Sequence, residues 1–448
     1  MIGSIVLLVA ALLSLPAQAQ SGPGDSAPVP FTTTAVLLGP DQVIGGLYQP
    51  DSPTANQSTG LILTHETDDF IGSIPCVQLA QRGFTVLCVK SQFTDQAEVA
   101  WDSLALDMSA SVTYLRSLPA VHKVVLVGWS GGGAIMSYYQ NVAQNGVATC
   151  QAPARLDPCG DDLANMPPAD GVALLDAIPG IAFSDLTALD ASVVNEANLR
   201  VRNENLDMFA TQNGYDPNAS SDYGTAFINR YTAAQGKREA GLVAEDQGLR
   251  QQIARGNGQF PNDTPMPVGR DSARIWEADS ALISHTKGRF PLISPQHPSG
   301  STPQVVHSVR VPSASSSDNA AWSSDKGGFT ANSFLSVGAI RAPALRVTDD
   351  SITGIDWGST NTATVNNVRG ITSPLLIMSM TGHYWLVPSE MYFQNATRTA
   401  NRTLAFVEGA THGFTPCTAC ATTPGEFGDT VAETFDYVSN WLIHNFGS

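Results

Sequence analysis

Residues 128–132 read Gly128-Trp129-Ser130-Gly131-Gly132, a Gly-x-Ser-x-Gly sequence. A serine hydroxyl becomes a useful nucleophile for acyl carbon when a neighbouring base takes its proton, and this serine sits where it could be presented to one. The apolar run 124–127 reads as a strand without alternation, of the kind buried on both faces, and helix signals begin near Gly132. A tight strand-to-helix turn leaves no room for large neighbours, so glycines at its flanks remove the side chains that would clash. The first N–H groups of the helix that follows have no partner within it and favour developing negative charge.

The base should be a histidine, and the chain has eight. His412, in Ala410-Thr411-His412-Gly413-Phe414, follows the apolar run 403–407 and precedes a terminal helix. Parallel strands bring their C-terminal ends to one edge of a sheet, so this loop can reach Ser130. His383, in Gly382-His383-Tyr384-Trp385, also lies near a strand end and is expected to line the pocket with Trp129, Tyr384 and Trp385.

Positioning these groups requires a particular arrangement of elements. Short apolar runs at 60–64, 84–89, 124–127, 172–175, 375–379 and 403–407 read as strands. Helix signals fall between them, at 73–82, at Leu104, Met108, Val112 and Leu115, and at 132–144. A terminal helix carries Val431, Phe435, Val438, Leu442 and Phe446 on one face. This alternation predicts an α/β fold with a mostly parallel sheet flanked by helices. Between 181 and 370 the alternation stops. Helical signals at 191–211 and 221–255 give way to a Pro/Ser/Gly-rich stretch with a strand-like piece at 304–311. The expected organisation is a core formed by 20–180 and 371–448, with 181–370 inserted as a cap or lid.

Composition narrows the partners. Of 448 residues only 14% are charged, and 40 acidic against 23 basic residues leave a net charge of −17. Nucleic-acid affinity comes largely from clustered Lys and Arg, so a nucleic-acid partner is not expected. No metal-ligand cluster, dinucleotide fingerprint or phosphate loop appears, and no cofactor and no metal are expected. Residues 1–19 read as a signal peptide, with an apolar stretch too short to span a bilayer followed by Ala17-Gln18-Ala19. The expectation is therefore a secreted or periplasmic protein without a membrane anchor; its oligomeric state is open. Six cysteines suit disulfides in that setting. Cys150 and Cys159 read as a local pair and Cys417-x-x-Cys420 as a loop-bracing bridge, while Cys76 and Cys88 could be bridged or simply buried. Asn56, Asn218, Asn262, Asn395 and Asn401 begin glycosylation sequons, relevant only in a eukaryotic secretory pathway.

The Gly128–Gly132 elbow and the later histidine make the chain resemble the α/β-hydrolase superfamily over about 35–180 and 371–448. That resemblance implies Ser130 as nucleophile and His412 as general base, in the family's order of nucleophile, acid and histidine. It maps the oxyanion-hole donors to the amide of Gly131 and to the loop after the strand ending at Thr64, at Glu66 or Thr67. The family often has His-Gly on that loop; His65-Glu66-Thr67 stands here, with an acidic side chain beside the hole. The acid is usually an aspartate shortly after the strand that ends near Ser379. No aspartate lies there, so Glu390 takes the role and Asp176, after the preceding strand, is its rival. The function implied is a secreted serine hydrolase acting on an ester or similar acyl bond of a small to medium, largely apolar small-molecule substrate. The alternatives are a catalytically silent binding protein on the same fold, and an acyl transferase or lyase using the same triad.

Overall fold

The structure, a computed structural model, describes residues 27–266, 268–269, 273–312 and 326–447. The expected signal peptide, 1–19, lies outside the described residues. A nine-stranded sheet forms the centre. Its strands in chain order are β1 (Phe31–Leu38), β2 (Val43–Pro50), β3 (Thr59–Leu63), β4 (Thr85–Val89), β5 (Lys123–Trp129), β6 (Gly171–Leu175), β7 (Leu292–Ile293), β8 (Leu375–Met380) and β9 (Arg402–Val407). Across the sheet they run β1-β2-β4-β3-β5-β6-β8-β9-β7. The β1–β2 and β2–β4 pairs are antiparallel; every other pair is parallel. Strands β3, β4, β6 and β8 are buried along their whole length, which is why they read as apolar runs without alternation.

Helices cover both faces. The principal ones are α1 (Ile74–Ala80), α2 (Trp101–Ser117), α3 (Gly131–Asn145), α4 (Ile181–Ala188), α5 (Thr225–Ala254), α6 (Leu386–Asn395) and α7 (Thr430–Phe446). Two cores result. One packs α2, α3 and α6 against one face of the sheet, and the other packs α1 and α7 against the opposite face. Leu104, Met108, Val112 and Leu115 are all buried on α2, and Phe435, Val438 and Leu442 on α7. The α/β architecture predicted from the alternating runs is the one observed.

Three differences have local causes. The hairpin β1–β2 carries no strong sequence signal because β1 is a largely exposed edge strand, Phe31-Thr32-Thr33-Thr34-Ala35-Val36-Leu37-Leu38. The helix expected at 191–211 does not form. There Asn195, Asn198, Asn203 and Asp207 each accept, through the side-chain oxygen, the amide two residues on, diverting the backbone into turns. The piece 304–311 makes isolated bridges rather than a strand, pairing Gln304 with Phe290 and His307 with His285. The segment 181–370 also builds the sheet's far edge, since β7 pairs with β9 through Leu292↔Phe406 and Ile293↔Val407.

All six cysteines are bridged, as Cys76–Cys88, Cys150–Cys159 and Cys417–Cys420. The first ties α1 to β4, and the last braces the loop that follows His412. Among the described residues, no helix is long and apolar enough to cross a membrane.

Candidate active site

The site is built where β5, β6, β8 and β9 end. Ser130 follows β5 directly and takes φ 54°, ψ −128°, a conformation rarely tolerated by a residue with a side chain. Neighbouring glycines permit it. A Cβ on Gly128 would lie 2.6 Å from Gly133 Cα, and one on Gly132 would lie 2.2 Å from the Thr64 carbonyl oxygen. The turn is held against β6, with the Ser130 amide donating to the Leu175 carbonyl and the Ile178 amide donating to the Ser130 carbonyl.

His412 reaches the serine from the loop after β9. Its Nε2 lies 2.9 Å from Ser130 Oγ, and its Nδ1 lies 2.6 Å from Asp176 Oδ2. Trp129 fastens that loop, donating its indole N–H to the His412 carbonyl at 2.8 Å, with its ring 5.0 Å from the imidazole. Trp129 therefore holds the histidine.

The carboxylate at Nδ1 is Asp176, and Glu390 is not part of this cluster. Glu390 lies on α6 and both its oxygens are engaged elsewhere: it accepts from the amides of Lys287 (2.7 Å) and Gly288 (2.8 Å) and from Gln394 Nε2 (3.0 Å). The helical turn that carries Glu390 away from the strand end aims it at 286–290. Strand register explains why Asp176 succeeds. Trp129 pairs with Leu175 across β5–β6, and Met378 pairs with Leu175 across β6–β8, so Asp176 emerges beside Ser130 on one side and Ser379 on the other. Asp176 has φ 45°, a left-handed turn that aspartate tolerates. Its Oδ1 accepts from Ser379 Oγ (2.9 Å) and the Met380 amide (3.2 Å). Complete burial opposes its charge, but the imidazoles of His383 and His412 outweigh that and hold the carboxyl well below its ordinary range. Asp176 is thus an anion. Because an anionic oxygen faces His412 Nδ1, the neutral ring carries its proton there and offers Nε2 as acceptor to the serine hydroxyl.

His383 sits against this triad rather than out in a pocket. Its ring stacks on that of His412, centroids 4.4 Å apart, and its Nδ1 lies 2.7 Å from the same Asp176 Oδ2, in a bent approach. Tyr384 covers His383 at 3.9 Å between ring centroids and hydrogen-bonds Glu277. Trp385 is buried against Phe183, His383 and Tyr384, as core.

On the other side of the serine, the Gly131 amide is one of the first-turn N–H groups of α3. The Glu66 carboxyl packs on this glycine so closely that a Cβ there would lie 1.8 Å from Oε2. Burial pushes Glu66 upward, against the pull of His65 Nδ1 at 3.1 Å. The Thr67 amide points back to His65 Nδ1 at 3.4 Å, and Thr67 also lines a cavity of about 310 Å³ with Asp185, Glu239, Arg274, Phe329 and Phe334. Among the described residues, the single group of three side chains close enough to share a metal ion is Asp176, His383 and His412, and these are engaged with one another.

No protein-family model and no curated protein matches the chain. Solved structures do. Brefeldin A esterase, a bacterial homologue of human hormone-sensitive lipase, is 13% identical with a TM-score of 0.39, the match covering 96% of this chain and 80% of that one. Carboxyl esterase 2 from the mycorrhizal fungus Tuber melanosporum is 12% identical with a TM-score of 0.38, covering 94% and 88%. A hormone-sensitive lipase from a metagenome library is 11% identical with a TM-score of 0.40, covering 93% and 86%. At these values the assignment stands on the chain's own geometry: a mostly parallel sheet, a serine on a strained turn between central strand and helix, and the chain order Ser130, Asp176, His412. The chain has the α/β-hydrolase fold.

Proposed function

We propose that the protein is a serine hydrolase that cleaves a carboxylic ester or similar acyl bond through an acyl-enzyme on Ser130. The observation that carries this reading is the continuous chain Ser130 Oγ–His412 Nε2 (2.9 Å) and His412 Nδ1–Asp176 Oδ2 (2.6 Å). His412 takes the proton as Oγ bonds to the acyl carbon, and the carbonyl oxygen develops negative charge toward the Gly131 amide. As the tetrahedral intermediate collapses, the same proton passes from His412 to the leaving oxygen. Water then repeats the sequence on the acyl-serine and releases the acid.

The segment 181–370 is read as a cap over the strand ends. Two contacts support this: Ser308 Oγ donates to the carbonyls of Thr381 and His383, and Val309 donates its amide to Thr381. A small cluster around Leu242, Phe329 and Phe334, shared with Ala97 and Leu156, packs the segment against the rest of the chain. The cavity that Thr67 lines is mixed in character, with Asp185, Glu239 and Arg274 beside Phe329 and Phe334, and suits a discrete small molecule that carries polar as well as apolar groups. Three disulfides support the reading that the protein works outside the reducing cytoplasm.

The test is fluorophosphonate labelling with a series of p-nitrophenyl esters of graded acyl length. Wild type should be labelled at Ser130 and turn over the shorter esters. Ser130→Ala should lose both, with a rate loss of about 10⁴-fold or more. Turnover surviving in Ser130→Ala within tenfold would remove the proposal; absence of labelling in wild type would favour a silent fold.

A further inference from the structure

Asp176 Oδ2 is approached by two imidazoles, His412 Nδ1 at 2.6 Å and His383 Nδ1 at 2.7 Å. A triad needs only the first. The second comes from the loop after β8 and is fixed on both sides: the His383 amide donates to the Met380 carbonyl, and its own carbonyl accepts from Ser308 Oγ of the inserted segment. The approach is too bent for a hydrogen bond, but at 2.7 Å an N–H toward the anionic oxygen is favoured over a lone pair, which places the His383 proton on Nδ1.

We propose that His383 is a positioning residue that divides the charge of Asp176 between two imidazoles, so that the acid limb of the activity profile depends on it. This rests on the triad reading above. Two physical effects act in the same direction. The positive end of the His383 N–H, 2.7 Å from Oδ2, offsets negative charge that would otherwise stabilise the His412 imidazolium. The His383 ring, stacked 4.4 Å from His412, also makes a second positive charge in the pair unfavourable. The groups facing the pair are few. Asp176 attracts a proton to both rings; Arg310, from the inserted segment, opposes one on His383; Glu66 acts on His412 from the loop after β3; and Tyr384, bonded to Glu277, closes the His383 side. Burial, opposed by Asp176 and aided by His412 and Arg310, moves His383 below the ordinary histidine range, which keeps it a neutral donor while His412 cycles.

Two variants separate this from simple packing. Asn places its side-chain N–H₂ where Nδ1 stands and keeps the donor; Phe keeps the stacked ring and loses it. In His383→Phe the acid limb of the kcat/KM profile should move up by about half a pH unit, roughly a threefold loss of rate at a fixed acidic pH. In His383→Asn it should stay near wild type. A limb unmoved in His383→Phe, or moved equally in both variants, overturns the proposal. Histidine ¹⁵N NMR on the wild-type protein tests it without any substitution. His383 should be neutral with its proton on Nδ1 throughout the titration of His412; an Nε2–H tautomer, or protonation of His383 first, overturns it. Fluorophosphonate labelling in parallel distinguishes the failures: a labelled wild type with an unmoved limb refutes this inference alone, whereas an unlabelled wild type refutes the triad.

Discussion

Replacing Asp176 by Asn is the sharpest test of which carboxylate serves His412. The Asp176 side chain is fully buried and its surroundings dictate how an amide would sit. Ser379 Oγ and the Met380 amide both donate to Oδ1, so the amide oxygen must stay there. That turns the amide N–H₂ toward His412 Nδ1 and His383 Nδ1. His412 Nδ1 then faces a donor and must accept, which moves the ring proton to Nε2, where it meets Ser130 Oγ and can no longer take the serine proton. The same tautomer argument, for the aspartate of a different triad, corresponds to about a 10⁴-fold loss in kcat. The expectation for Asp176→Asn is a loss of about 10³–10⁴-fold, equivalent to roughly 4–5.5 kcal/mol in the barrier. Because shape is conserved, thermal unfolding should confirm a folded protein. The assay is kcat on the best p-nitrophenyl ester, normalised to active sites. A variant within tenfold of wild type, or a larger loss in Glu390→Gln, would refute the reasoning.

Other expectations follow from groups around the site. Glu390→Gln should keep kcat within about threefold of wild type but lose about 1 kcal/mol of stability by chemical denaturation, because one oxygen that accepts a part-buried amide becomes a donor. Glu66 is pushed upward by burial, and as an anion against Gly131 it would oppose the developing oxyanion; activity should decline as pH rises through the ionisation of Glu66, and Glu66→Gln should remove that decline. A pH–rate profile identical in the two proteins would contradict this. Glu239 is buried and pushed up to about 8, accepting the Ile340 amide. A folded value above the unfolded one means the stabilisation is complete below about pH 4.5 and is lost as pH rises toward 8. Relative to Glu239→Gln, which keeps an acceptor, wild-type Tm should therefore fall between pH 5 and 8, and a constant difference in Tm would count against it.

The aspartate illustrates what a linear reading can miss. Leu174-Leu175-Asp176-Ala177 does signal something, a charge ending a buried strand, but its relation to Ser130 depends on β5 lying beside β6 in one register. Glu390 stood on the loop where an acid was expected, yet one turn of α6 aims it at the amides of Lys287 and Gly288. His383 was legible as a residue near a strand end; that it meets the triad carboxylate followed from the packing of two loops.

Local chemistry was enough for the sequence to determine the serine turn, the histidine loop and the alternating elements of a mostly parallel sheet, because each is written in neighbouring residues: glycines about Ser130, apolar runs, a helix face on α7. Only the tertiary structure decided that Asp176 rather than Glu390 meets His412, that a second imidazole lies against the same oxygen, and that Leu292 and Ile293 supply the sheet's last strand. Those outcomes depend on contacts between residues up to 236 apart in the chain, such as Asp176 and His412. Such contacts are set by strand order and register, which local propensity does not encode.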